Sequence, residues 1–194
     1  MKLNLGCGYA QPPGWLNVDR DPLCNPDLTH DLEIFPWPLS DNSAAIIRLH
    51  HVLEHLGQQP KDYLRIIQEL YRVSQPNAEI IITVPHPRHD SYLIDPTHVR
   101  PILPESFQLF SQSLNRKWLE TGKSNTTLGL QLNVDFEITK VENQLDPLWN
   151  SKWESNELTN EDVQDLSTKY SNVIQQITIY LRAVKTLSPP SKAT

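Results

Sequence analysis

Pro60-Lys61-Asp62-Tyr63-Leu64-Arg65-Ile66-Ile67-Gln68-Glu69-Leu70-Tyr71-Arg72-Val73-Ser74 runs into Gln75-Pro76-Asn77 and then into Glu79-Ile80-Ile81-Ile82-Thr83-Val84. In the first part Tyr63, Leu64, Ile66, Ile67, Leu70 and Val73 recur at three- and four-residue intervals, with charged and polar residues elsewhere, which is one apolar helix face. Proline cannot continue a helix and asparagine favours turns, so 75–77 closes it. The β-branched run that follows reads as a strand. Upstream, Ala44-Ala45-Ile46-Ile47-Arg48-Leu49 is an apolar run with one charge, as in a strand buried on both faces. A strand, a helix and a strand within about forty residues form a βαβ unit, a right-handed crossover between parallel strands.

Outward from this unit the same alternation continues. Residues 2–5 read as a short strand stopped by Gly6-Cys7-Gly8, residues 15–19 as a strand ending on Asp19, and 27–31 as a very short third. Downstream, 85–104 is a loop rich in proline and histidine, and 105–119 a helix. Residues 136–141 and 174–184 are strands. Between them an insertion at about 143–172 carries Trp149, Trp153 and a polar helix near 160–170. The expected organisation is one α/β domain over 1–185 with a tail over 186–194.

Bulk properties narrow the function classes. The 194 residues suffice for one full core, and 38% hydrophobic with 21% charged residues suits a soluble protein. Sixteen prolines predict long irregular connections. No apolar run is long enough for a bilayer, and Met1-Lys2-Leu3-Asn4-Leu5 enters a strand with no leader, so a cytoplasmic protein is expected. The net charge of −6, with lysines and arginines scattered, argues against nucleic acid as partner, and no membrane partner is expected. Cys7 and Cys24 are expected to be free thiols.

Leu3-Asn4-Leu5-Gly6-Cys7-Gly8 is a strand entering a glycine turn, where the backbone can approach a ligand and turn amides can face an anion. Asp19, eleven residues after Gly8, ends the next strand. A carboxylate there can accept both hydroxyls of a ribose, worth on the order of 1.5–3 kcal/mol. Dinucleotide and adenosylmethionine enzymes share this pairing, and an ordinary tight turn explains Gly-x-Gly equally well.

Four stretches taken together resemble the class I S-adenosylmethionine-dependent methyltransferases. Asn4-Leu5-Gly6-Cys7-Gly8 resembles their first motif, and Asp31-Leu32-Glu33-Ile34-Phe35-Pro36-Trp37-Pro38-Leu39-Ser40-Asp41-Asn42-Ser43 their acidic adenine-binding turn. Val52-Leu53-Glu54-His55-Leu56 is similar to the segment after their fourth strand. Leu70-Tyr71-Arg72-Val73 with Pro76-Asn77 is similar to the approach to their fifth. These cover residues 3–85 in the family's order, and the last two strands resemble its antiparallel pair. The resemblance implies a Rossmann-like, doubly wound, mostly parallel sheet of the seven-strand type, with S-adenosylmethionine as cofactor. It implies that Gly6, Cys7 and Gly8 line the methionine end, Asp19 holds the ribose, Asp31 the adenine amino group, and Leu32 presses on the ring. His50 and His51 would sit near the sulfonium. A nicotinamide cofactor fits less well, because a third glycine is missing. Two departures stand out. Only residues 9–14, with Pro12-Pro13, occupy the place of the family's first helix; extended, they reach about 20 Å, so the return fits and the cleft should be more open. Ala44-Ala45 replaces the aromatic-acid pair usual after Asn42-Ser43.

Six of the seven histidines, His50, His51, His55, His86, His89 and His98, group between positions 50 and 98. His51-Val52-Leu53-Glu54-His55 matches the His-x-x-Glu-His pattern of zinc peptidases, the alternative function; that motif needs a long helix, and here Gly57 follows closely. Loops beyond the carboxyl ends of parallel strands border ligands. Within them His98 with Asp95 is the preferred general base and His86 the second choice; each can instead satisfy loop carbonyls. A metal on His86, His89 and His98 is a lesser alternative. Trp149 and Trp153, four apart, read as packing rather than as a wall over the substrate. The expected reaction is methyl transfer to a small-molecule or sugar-derived acceptor, with a non-catalytic binder of the cofactor as a further alternative. Neither the acceptor nor the oligomeric state is legible in the sequence.

Overall fold

In the computed structural model, which describes residues 1–185, seven strands form one sheet: β1 (Lys2–Leu5), β2 (Leu16–Asp19), β3 (Leu28–Thr29), β4 (Ala44–His50), β5 (Ser74–Pro85), β6 (Phe136–Leu145) and β7 (Ile174–Ala183). Their order is β3-β2-β1-β4-β5-β7-β6, parallel through β5, with β7 antiparallel to both neighbours. This is the Rossmann-like, seven-strand α/β arrangement with an antiparallel C-terminal pair. The expected tail, 186–194, lies outside the described residues. No helix among the described residues is long and apolar enough to cross a membrane.

The βαβ unit forms as its sequence dictates. Helix α1 (Pro60–Val73) starts on a proline whose missing N–H costs nothing at that position. It buries Tyr63, Ile66, Ile67, Leu70 and Val73 in one core with Leu3, Leu5, Ile47, Leu49, Ile80 and Ile82 of the sheet. Each such aliphatic side chain contributes about 1.5–3 kcal/mol by leaving water. Strand β5 begins at Ser74 rather than after the 75–77 turn, because Ser74 already pairs with Ala44 and a bulge then resets the register at Ile46–Glu79.

The return from β1 to β2 contains no helix. On the sheet face opposite Leu3 and Leu5, the buried amides of Asn4 and Asn17 stand side by side, since these residues are register partners. Asn4 Nδ2 donates to Asn17 Oδ1 (2.9 Å) and to the Ala10 carbonyl (2.8 Å) in the connecting loop. Asn17 donates its backbone N–H (2.8 Å) and Nδ2 (2.9 Å) to Asp27 Oδ2. A short polar loop can cover this face because the residues beneath it are amides with every bond supplied locally.

The expected helix over 105–119 divides. Residues Pro104–Phe110 are 3₁₀, whose three-residue repeat turns Phe107 and Phe110 inward together. Ser111 then caps α3 (Gln112–Glu120). A five-residue helix, α4 (Leu128–Leu132), was below what periodicity can detect; it approaches Phe110 so closely that a Cβ on Gly129 would lie 2.9 Å from the Phe110 carbonyl. Between β5 and the 3₁₀ segment lies one short helix, α2 (Asp90–Leu93). Between β6 and β7 the chain forms α5 (Pro147–Glu154) and α6 (Asn160–Lys169), the latter with a Thr159–Asp162 capping box.

Candidate functional site

Strand order reverses between β1 and β4, and the segments leaving their carboxyl ends must part to opposite sides, opening a crevice. Gly6 begins the first of these segments with φ +65°, and a Cβ there would lie 2.4 Å from Val52 Cγ2. Glycine is therefore required by the close approach of the two segments as well as by the turn. The Gly8 amide donates to Asp19 Oδ2 (2.7 Å) and the Asp21 amide to Asp19 Oδ1 (2.9 Å). Each oxygen of the half-buried Asp19 carboxylate keeps a free lone pair.

Gly6, Asp19, Asp31, Leu32 and His51 line one cleft of about 260 Å³. Asp19 ends β2, and the other four follow the carboxyl ends of β1, β3 and β4. The wall carrying Asp31 and Leu32 is held by three fixings. Asp31 accepts the Glu33 amide (2.9 Å), Glu33 Oε1 accepts the Gly57 amide (2.8 Å), and the buried Trp37 indole donates to the Leu32 carbonyl (2.9 Å). Behind them Arg72 grips Glu69 through Nε and Nη2 (both 2.7 Å) and also donates to the carbonyls of Trp37 (3.0 Å) and Leu39 (2.7 Å). Residues 31–43 and 70–73, read as separate motifs, are one mechanical unit.

Cys7 contributes its backbone to the turn, while its side chain is buried beside Cys24. Burial, then the neighbouring Cys24 thiol and the Asp19 charge, push the Cys7 thiol up to about 11. Cys7, Cys24 and Asp19 lie within ligand distance of one another. They make a poor metal site, since burial disfavours the Cys7 thiolate that a metal would need.

A second cleft of about 360 Å³ adjoins the first and shares His51 and His55 with it. Glu54, Asp95, His98 and Gln176 also line it. His51 has left-handed backbone (φ +54°), uncommon outside glycine and asparagine, and so turns its ring between the clefts. The Glu54 carboxylate raises the His51 imidazole above its ordinary value against the opposing effect of burial. His98 donates Nδ1–H to the Tyr92 carbonyl (2.7 Å) and stacks on the Tyr92 ring. Its Nε2 lies 3.8 Å from Asp95, beyond a hydrogen bond. Asp95 instead accepts from Thr97 N (2.8 Å) and Oγ1 (2.6 Å), bonds that hold its carboxyl below the usual range.

Other expected residues fall elsewhere. His50 sits edge-on to His51 and lines neither cleft; burial, then the neighbouring His51 charge, lower its imidazole. His86 also lines neither, with Nδ1 accepting the Arg88 amide (3.1 Å). His89 is buried as the cap of α2, with Asp146 3.3 Å away, and among the described residues His86, His89 and His98 form no ligand cluster. Trp153 donates to Asn160 (2.9 Å), joining α5 to α6. The peptidase pattern lacks its helix: Leu53–His55 is a single 3₁₀ turn, and left-handed His51 stands outside it. Gln176 and Tyr92 were not anticipated, since one is a polar residue on an alternating strand and the other a tyrosine in a loop. A concavity of about 890 Å³ beside Asp41, Arg72 and Lys185 lies at the opposite ends of the parallel strands and holds none of these groups.

No family model and no curated protein matches this sequence. Solved structures share its fold. A SAM-dependent methyltransferase from Archaeoglobus fulgidus superposes with a TM-score of 0.60 at 18% identity, over 93% of this chain and 85% of that one. A SAM-dependent methyltransferase from Methanosarcina mazei gives 0.50 at 14% identity, over 95% and 92%. The (4+2)-cyclase SpnF gives 0.53 at 16% identity, over 95% and 75%. A shared fold supports more than one chemistry, so the site must assign the reaction. The arrangement of strands is the Rossmann-like fold that these solved methyltransferase structures share.

Proposed function

We propose that the chain binds S-adenosylmethionine in the cleft between β1 and β4 and catalyses methyl transfer to a small molecule held in the adjoining cleft. The observation that carries this reading is Asp19, fixed by two amides at the end of β2 with a lone pair free on each oxygen. That is the acceptor a ribose diol needs, and it opens on the same cleft as Gly6 and Leu32. Asp31 would receive the adenine amino group and Leu32 would cover the ring, while the Cys7 and Gly8 amides already bond the Val18 carbonyl (3.0 Å) and Asp19 and are not free for the cofactor's carboxylate. Without a helix after β1, no helix dipole assists that carboxylate either.

The cofactor supplies an electrophilic methyl group when bound. The chain's own work is then to position the acceptor, exclude water and dispose of a proton. Alignment of two bound reactants can supply much of the barrier reduction. The second cleft suits a small molecule in volume. His55 and His98 each engage a neighbour through Nδ1, leaving Nε2 for the acceptor side. Calorimetric titration with S-adenosylmethionine and S-adenosylhomocysteine tests the reading, and saturable binding to one site is expected. Absence of binding by a folded protein sinks it. Binding with no transfer across a broad acceptor panel would leave a non-catalytic binder.

A further inference from the structure

We propose that Glu54, His55 and His98 form a site for a divalent transition-metal ion in the acceptor-side cleft, and that the ion holds a hydroxyl-bearing acceptor. The starting point is Glu54. Its side chain is 1% exposed, and neither carboxylate oxygen has a hydrogen-bond partner. His51 Nδ1 lies 3.3 Å from Oε1 but out of line for a hydrogen bond, and Oε2 has no partner. A carboxylate stripped of water and left without donors is among the costliest groups a fold can carry. Structural duty does not explain it. The Glu54 backbone carbonyl ties the following loop, accepting from Val99 N (2.9 Å) and Arg100 N (3.2 Å), while the carboxylate makes no hydrogen bond and faces only the charge of His51.

Two imidazoles stand beside this carboxylate. One potential ligand atom from each of Glu54, His55 and His98 lies within 4.8 Å of the other two. Both rings have fixed tautomers. A carbonyl can only accept, so His98 donates Nδ1–H to Tyr92 O (2.7 Å), and its Nε2 carries the lone pair. The Thr97 hydroxyl gives its hydrogen to Asp95 Oδ1 (2.6 Å), so His55 Nδ1–H donates to Thr97 Oγ1 (2.9 Å), again freeing Nε2. A ring nitrogen oriented by a carbonyl, or by a hydroxyl backed by a carboxylate, is the usual support of a metal-binding histidine. Two imidazoles and one carboxylate suit zinc, manganese, iron or cobalt in the divalent state and leave coordination positions open.

The acceptor class follows from those open positions, and this step rests on the methyl-transfer reading above. His55 lines both clefts, so an ion on it lies where the two reactants meet. A hydroxyl bound to the ion loses its proton to water more readily than a free one. Its oxygen then forms a bond to the methyl carbon as the carbon–sulfur bond breaks, with that electron pair remaining on sulfur. A vicinal diol or catechol can fill two positions at once.

The test uses the full chain after dialysis against chelator. Titration with Zn²⁺ and Mn²⁺, and with Co²⁺ followed by visible absorption, should give one saturable site per chain. Glu54→Gln and His98→Ala should each weaken it at least tenfold, with circular dichroism and S-adenosylhomocysteine affinity unchanged. No saturable binding by the folded wild type, or wild-type affinity in both variants, overturns the site. Should Glu54→Gln fail to fold, His98→Ala decides alone. Metal binding without S-adenosylhomocysteine binding supports the site and removes the methyl-transfer reading; the reverse overturns the site and leaves that reading standing. Transfer to catechols or vicinal diols stimulated at least tenfold by the ion supports the acceptor class, and transfer confined to amines and indifferent to the ion overturns it.

Discussion

Gly8 donates its backbone N–H to Asp19 Oδ2 at 2.7 Å, tying the glycine turn after β1 to the acid at the end of β2. One carboxylate thus does two tasks, shaping the turn and presenting lone pairs to a ligand. Asp19→Asn keeps one acceptor oxygen and should retain part of the turn; Asp19→Ala removes both. We expect Asp19→Ala to lower S-adenosylhomocysteine affinity by about 1.5–3 kcal/mol, roughly ten- to a hundredfold, with Asp19→Asn in between. Calorimetry on folded variants measures this. An Asp19→Ala affinity equal to wild type would remove the ribose role.

Gly6→Ala should destabilise the fold through two separable effects. Left-handed backbone at φ +65° costs a residue with a Cβ about 1–2 kcal/mol. The overlap with Val52 Cγ2 at 2.4 Å adds about 1–3 kcal/mol of overpacking. Pairing Gly6→Ala with Val52→Ala should relieve the second part and not the first. Urea unfolding of the single and double variants gives the coupling energy, and strict additivity would show that the contact is not what requires glycine.

The Asn4–Asn17 pair leads to a prediction about the missing helix. Asn4→Leu strands Asn17 Oδ1, and Asn17→Leu strands one Asn4 donor and takes the Nδ2 bond from Asp27. Each should cost about 1–3 kcal/mol. Asn4→Leu with Asn17→Leu replaces both partners by apolar groups and should cost clearly less than the sum. Chemical denaturation of the three variants measures the difference. Full additivity would mean the amide pair is incidental to how this face is covered.

The parts of this molecule legible in the sequence are those written in one short stretch. α1 and β5 announce themselves through apolar spacing and β-branched runs, and the glycine turn with Asp19 is spelled out by composition at a fixed interval. Contacts that depend on how the loops fold were not legible. His98 reads as a base beside Asp95 from sequence, but Tyr92 and Thr97 take the bonds that such a pair would need. Glu54 reads as part of a peptidase motif, yet a 3₁₀ turn and a left-handed His51 give it different company. Gln176 reaches His51 across 125 positions, on a strand whose alternation carries no sign of it. Short 3₁₀ turns and single left-handed residues decide these cases, and neither leaves a periodic trace.

Glu69 links stability to pH. Burial alone would raise its carboxyl, but the hydrogen bonds from Arg72 and the Trp37 amide outweigh it and hold the group below its ordinary value of 4.5. A carboxyl lowered by folding contributes stability that is fully present above the unfolded value and fades as pH falls through the folded one. Glu69→Gln should therefore cost about 1.5–3 kcal/mol at pH 7, a deficit that begins to shrink below pH 4.5 and closes in stronger acid. The loss should also loosen the 31–43 wall, because Arg72 carries the carbonyls of Trp37 and Leu39 on the same guanidinium. Urea midpoints of both proteins across a series from pH 7 to about pH 3 measure the gap. A gap that stays constant to the acid end would mean that the Glu69 charge adds nothing, and that shape alone holds the Arg72 clamp.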